Sequence, residues 1–258
     1  MAARRRPSAP ARGHLLVEEP RDVPGFAPRR LRIYTPPGYD GSRAVPLLVL
    51  FDGQNVFDDA PSFAGGWHAH TAIEKLARSR PRPIVVGVDH GGADRVAELS
   101  PWGRHGADAR GEAFLGWVAH ALVPELRGRY RVVDGPAGVL VGGSSMGGLA
   151  ATYAHFRHPE TFGGAMALSS SFWIGGGRIL EWLQGVSTPW TSQVYLDCGS
   201  GEGGGRMAGL TEAVGKALRE RGYGADKLRV RIDRRGGHDE RSWRRRLPNA
   251  LRFFYRGP

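Results

Sequence analysis

Three stretches of the chain are short, unbroken apolar runs: Pro46–Asp52 (PLLVLFD), Pro83–Asp89 (PIVVGVD) and Gly138–Gly142 (GVLVG). Such runs predict strands covered on both faces, because a strand with one wet face alternates polar and apolar residues. Shorter strands are predicted at Leu31–Tyr34, Ala165–Leu168, Val194–Cys198 and Leu228–Ile232. Helical spacing lies between them. In Glu112–Leu126, residues Phe114, Leu115, Val118, Leu122 and Leu126 recur every three or four positions. Further helices are predicted at Trp67–Arg78, Leu149–Phe156, Ile179–Leu183, Leu210–Arg221 and Ser242–Phe254. Strands alternating with helices predict an α/β fold with a mostly parallel central sheet and helices on both faces. Sheets of this kind hold ligands at the carboxyl ends of their strands, so the segments just after each strand are the place to look for chemistry.

Composition narrows the classes. The 258 residues carry 41% hydrophobic and 24% charged positions, which is globular composition. No apolar run reaches 18 residues, so a membrane-spanning helix is excluded. Cys198 is the only cysteine, so no intrachain disulfide forms. Residues 1–13 read as a disordered basic tail without the apolar stretch of a secretory signal, and 14–258 as a single α/β domain; a cytoplasmic location is expected. The net charge of +11 comes almost entirely from arginine. Its clusters, Arg4 to Arg6 and the run of Arg229, Arg231, Arg234, Arg235, Arg241, Arg244, Arg245 and Arg246, are read as solvated faces rather than a nucleic-acid surface.

The segment after strand Gly138–Gly142 is GGSSMGG. Gly143-Ser144-Ser145-Met146-Gly147 fits G-x-S-x-G with a strand before it and a helix after it. A nucleophilic serine on so tight a turn needs neighbours without side chains two positions away on each side. This makes Ser145 the candidate nucleophile, with Ser144 behind it and the Met146 amide facing the developing oxyanion. A serine needs a base. His238, in the loop RRGGHD after the last strand, is placed for it; His14, His120, His155 and His158 are read as structural or solvated. The acid is expected after Val194–Cys198, and Glu202 is the first candidate, with Asp197 and Asp239 as alternatives. The loop after Pro46–Asp52 supplies Gly53 for close approach and the Gln54 amide as second oxyanion donor. Asp52 accepts a hydrogen bond either from a substrate hydroxyl or within its own loop. His90, Asp94, Arg95, Trp102, Phe172 and Trp173 follow other strands and are candidates for a substrate wall. Nothing has metal-ligand spacing, and no cofactor or metal is expected.

Taken together, LFDGQNVFD, GVDHGGADR followed by ELSPW, GGSSMGGLA and GGHDERSWRRRLPNALRFF resemble the esterase branch of the α/β-hydrolases. That branch includes enterochelin (siderophore) esterases, esterase D-type S-formylglutathione hydrolases, feruloyl esterases and mycolyltransferases. The resemblance runs from about Leu31 to Tyr255. It implies the α/β-hydrolase fold, with Ser145 as nucleophile, His238 as base, Glu202 as acid and the Met146 and Gln54 amides as the oxyanion hole. The sequence departs from the pattern at Glu240 and Arg241, which intervene between His238-Asp239 and Trp243 where relatives often carry an aromatic sooner. The expected activity is hydrolysis of small-molecule carboxylic esters through an acyl-enzyme, with siderophore-lactone and aryl or feruloyl esters as substrate classes. The rival readings are an acyltransferase using the same site and a non-catalytic binding protein with a basic surface.

Overall fold

A computed structural model of the chain describes residues 12–77, 79–103, 109–189 and 191–256. The Arg4–Arg6 cluster and most of the expected tail lie outside these residues. In chain order the strands are β1 (His14–Val17), β2 (Arg21–Val23), β3 (Phe26–Arg29), β4 (Leu31–Thr35), β5 (Leu47–Phe51), β6 (Ile84–Val88), β7 (Val139–Ser144), β8 (Gly164–Leu168), β9 (Gln193–Gly199) and β10 (Leu228–Asp233). The helices are α1 (Ala69–Glu74), α2 (Arg95–Glu98), α3 (Gly111–Trp117), α4 (Val123–Arg129), α5 (Met146–Arg157), α6 (Ile179–Gly185), α7 (Arg206–Glu220) and α8 (Glu240–Phe254).

Eight strands form one sheet in the order β1-β4-β6-β5-β7-β8-β9-β10, and β2 and β3 form a separate hairpin. From β6 to β10 every pairing is parallel; β4 runs antiparallel to both β1 and β6. The reason for the unbroken apolar runs is visible in β5. Leu47, Val49 and Phe51 point into a core shared with α3 to α7, while Leu48 and Leu50 point into a second core with α1 and α8. Successive side chains of a strand alternate between faces, so both sets must be apolar when both faces are covered.

The sheet order places the site. The chain steps from β5 to β6 on one side, and β7 then pairs with β5 on the other. The carboxyl ends of β5 and β7 are therefore adjacent at a topological switch point, where loops diverge and leave a crevice.

Several boundaries differ from the pattern. β1 is mostly exposed and β2 and β3 are short, so none carries a burial alternation. α1 ends at Glu74 rather than near Arg78, and Pro81 disfavours helix in the residues before it. α5 starts three residues before Leu149 because Gly147 and Gly148 lie in its first turn and carry no hydropathy signal. The helix expected over 112–126 is continuous, but Val118–Leu122 is a π-helical turn between α3 and α4.

Candidate active site

Ser145 stands between β7 and α5 with φ 55 and ψ −119. A non-glycine residue rarely adopts such a backbone, and it persists where the surroundings enforce it. The surroundings here are specific: the Ser145 amide donates to Leu168 O (2.9 Å), and its carbonyl accepts from Ser171 N (2.9 Å). The flanking glycines are required by space. A Cβ on Gly143 would lie 2.7 Å from the carbonyl carbon of Gly147, and one on Gly147 would lie 3.2 Å from Phe51 Cβ. Gly143→Ala is therefore expected to destabilise the fold by about 1–3 kcal/mol through overpacking at the turn. Urea denaturation checks this; an unchanged midpoint would mean that the turn tolerates a methyl group.

Three side chains from three strand ends meet here. His238 Nε2 is 3.0 Å from Ser145 Oγ, and His238 Nδ1 is 2.8 Å from Glu202 Oε2. An ionised carboxylate only accepts, so Nδ1 carries the proton and Nε2 offers its lone pair to the serine hydroxyl. The ring packs edge-on against Trp243, with centroids 5.2 Å apart.

Glu202 is only 5% exposed, and its other oxygen is fully engaged. Oε1 accepts from Gly199 N (2.6 Å), Ser169 Oγ (2.8 Å) and Arg246 Nη1 (3.3 Å). Ser169 Oγ in turn accepts from Trp243 Nε1 (3.0 Å) and Arg246 Nη2 (2.5 Å), so every lone pair and proton of that hydroxyl is used. Burial alone would raise the Glu202 carboxyl; the hydrogen bonds from His238, Ser169 and Gly199 together with the Arg246 charge outweigh it and hold the group below its ordinary range. Asp197 differs: burial pushes it up to about 7 against the pull of Arg246, and neither oxygen has a hydrogen-bond partner among the described residues. Asp239 is the N-cap of α8, accepting from Ser242 N (2.8 Å). Of the three carboxylates weighed from the sequence, Glu202 is the one that contacts the His238 ring.

Met146 is the first residue of α5, so its amide has no acceptor within the helix. Gln54 lies in a 3-10 turn directly after β5. Its side-chain Oε1 accepts from His90 N (3.4 Å), which ties this turn to the loop after β6. Glu240 at the start of α8 accepts from Asn55 Nδ2 (3.4 Å), joining the His238 segment to the same turn.

The remaining candidates divide. Asp52 is buried with a left-handed backbone (φ 58), and both its oxygens bond Arg95, at 2.5 and 2.7 Å. Both oxygens of Asp52 are thus engaged by Arg95, another of the residues considered for the substrate wall. Gly53 is pressed against the next strand: a Cβ there would be 2.5 Å from the carbonyl carbon of Gly87. The close approach that its missing side chain allows is to the neighbouring strand β6. The reading of Phe172 is corrected. It is 0% exposed in the main core and presents no surface to a substrate, because the chain turns inward after β8. Trp173 is half-buried against Cys198, Met207 and Ala208. Trp102 packs edge-on to Tyr153 and Trp182, beside a groove of about 440 Å³ lined by Trp102, Trp182, Arg178 and Val186. His90 and Asp94 are exposed, and Asp94 faces Arg110 at 4.0 Å.

Sequence reasoning missed Ser169, Ser171 and Arg246. Ser171 Oγ lies 3.2 Å from Ser145 Oγ. Arg246 belongs to the arginine run read as solvated, yet it is 3% exposed. Its spacing from Trp243 and Leu247 on the buried face of α8 was the available signal.

A nucleophile-type elbow after β7, with a histidine and a carboxylate brought in from the ends of β10 and β9, is the α/β-hydrolase arrangement on an α/β-hydrolase sheet. The chain belongs to the Esterase family ("Putative esterase"), whose model matches residues 27–254. It is 24% identical over 241 residues to the uncharacterized protein YbbA of Bacillus subtilis, covering 88% of this chain and 92% of that protein. It is 29% identical over 246 residues to the iron(III) enterobactin esterase of Dickeya dadantii, covering 89% of this chain but 52% of that longer protein. Among solved structures, a ferulic acid esterase superposes with a TM-score of 0.73 at 19% identity, covering 95% of this chain and 99% of the other.

Proposed function

We propose that this protein is a serine esterase that hydrolyses small-molecule carboxylic esters through an acyl-enzyme. The observation that carries the reading is the continuous chain of contacts from Glu202 through His238 to Ser145, with Ser145 held on a strained turn at the switch point. Ser145 Oγ attacks the ester carbonyl carbon while His238 Nε2 takes its proton. The carbonyl oxygen, now negative, is stabilised by the Met146 and Gln54 amides and by the positive end of α5. The tetrahedral species collapses, and the leaving alcohol takes the proton from His238. Water then attacks acyl-Ser145, giving its proton to His238, and the free acid leaves as the serine is restored. Glu202 orients the ring and stabilises its protonated form.

The names of the relatives support siderophore-lactone and aryl or feruloyl esters as the substrate class. A panel of trilactone, feruloyl, short-acyl and aryl esters tests this, with and without an added alcohol acceptor. Turnover to free acid, highest on an aromatic acyl group, is expected. No turnover on any ester would reject the proposal, and predominant transfer to the alcohol would replace hydrolysis by acyl transfer.

Glu202→Gln keeps the shape and removes the charge. Its kcat is expected to fall by up to ~10⁴-fold, the loss seen for the equivalent change in a serine protease. Asp239→Asn, which alters a helix cap, should leave kcat near wild type. The same Glu202 variant carries a stability signature. A carboxyl held below its ordinary range stabilises the fold above that range and loses the contribution as pH falls through its lowered value. The stability gap between wild type and Glu202→Gln should therefore be full at neutral pH and close in acid. A gap independent of pH, or a variant with wild-type kcat, would remove Glu202 from the role of acid.

A further inference from the structure

The π-helical turn Val118–Leu122 interrupts what would otherwise be one α-helix, and it carries His120. Single π turns recur at functional positions because they re-aim a side chain. His120 faces His158, which caps the far end of α5, and the two rings sit edge to face with centroids 4.8 Å apart. Glu160 completes the group: its Oε1 is 3.7 Å from His158 Nδ1. One donor atom from each of His120, His158 and Glu160 lies within 4.8 Å of the other two.

His158 is 6% exposed, and its buried Nε2 has no hydrogen-bond partner among the described residues. A buried imidazole nitrogen left unpaired is uncommon in a folded protein. Nδ1 of the same ring faces Glu160, so it is Nε2 that is left without a partner among the described residues. By contrast, His155, one turn earlier on α5, has both nitrogens satisfied, by Phe162 O (2.9 Å) and Ser192 Oγ (2.6 Å).

We propose that His120, His158 and Glu160 form a binding site for a divalent transition-metal ion of the zinc class, clipping the α3–α4 helix to the end of α5. Two imidazoles and one carboxylate are the donor set such ions take, with water completing a tetrahedron. Ligand bonds of about 2.0–2.2 Å put tetrahedral donors roughly 3.4 Å apart, so binding needs movements of about an ångström. His120 and Glu160 are exposed and free to make them. The site lies at the opposite end of α5 from Ser145, about 18 Å along the helix axis at 1.5 Å per residue. Its role is therefore to brace the helix that carries the nucleophile, separate from ester chemistry.

The test uses the full chain, free of any affinity tag and stripped with chelator, titrated with Zn²⁺ by calorimetry and with Co²⁺ by visible absorption. One saturable equivalent is expected, with the intense d–d bands of tetrahedral cobalt. At a hundredfold excess over Kd, Zn²⁺ should raise Tm by roughly 5–10 °C. The double variant His120→Ala/Glu160→Gln changes two exposed side chains. It should fold and hydrolyse esters as wild type does, yet lose ~100-fold or more in metal affinity. No saturable binding by wild type, or equal binding by wild type and the double variant, would overturn the proposal.

Discussion

Ser145→Ala is expected to lower kcat for ester hydrolysis by ~10⁶-fold, the loss measured when a serine protease loses its nucleophile. The magnitude follows from the geometry. Ser145 Oγ lies within hydrogen-bond reach of both His238 Nε2 and Ser171 Oγ, at 3.0 and 3.2 Å. Without it the acyl-enzyme route is closed, and what remains is attack by water on an ester polarised by backbone amides. The fold should survive. Alanine tolerates φ 55 no better than serine does, but the backbone bonds of Ser145 to Leu168 and Ser171 are independent of its side chain. Ser144→Ala is the matched control, since Ser144 is buried at the end of β7 and should keep most activity. Comparable rates for wild type and Ser145→Ala would remove the serine mechanism altogether.

His238→Ala should cost nearly as much as Ser145→Ala, and the double variant should be no worse than either alone, because nucleophile and base act as one unit. His238 lies on an exposed loop, and its side chain is 38% accessible, so its removal should disturb packing little. Steady-state kinetics of the two single variants and the double variant form the cycle that checks this. Additive losses would show that Ser145 and His238 serve separate steps. A mild loss in His238→Ala alone would mean that another group takes the serine proton.

Much of this is legible in the sequence, and the physical reasons are specific. The central strands declared themselves because burial on both faces forbids polar residues along their whole length. The Ser145 turn declared itself because its steric demand is local: a Cβ on Gly143 would meet the Gly147 backbone at 2.7 Å, and one on Gly147 would meet Phe51 Cβ at 3.2 Å. Strand order pointed to His238 and to Glu202 as the first of three candidate acids, since a parallel sheet delivers each strand's following loop to the same edge, and the contact of Glu202 with the His238 ring separates it from Asp197 and Asp239. What stayed hidden depends on contacts between segments distant in sequence. The Ser169–Arg246–Trp243 network behind Glu202 joins β8's end to α8, and an arginine in a run of arginines gives little sign of which member is buried. Asp52 could be read two ways until Arg95 occupied both its oxygens. Phe172 looked like pocket lining because it follows a strand, and only the inward turn of the chain after β8 places it in the core. The β1–β3 region carried no periodic signal because its strands bury too little.

The most direct test of the central claim is labelling with a serine-directed fluorophosphonate, read by intact mass and peptide mapping. The account predicts one equivalent of probe per chain, attached to Ser145, absent in Ser145→Ala and strongly slowed in His238→Ala. No adduct on folded wild-type protein, or an adduct that persists in Ser145→Ala, would contradict it.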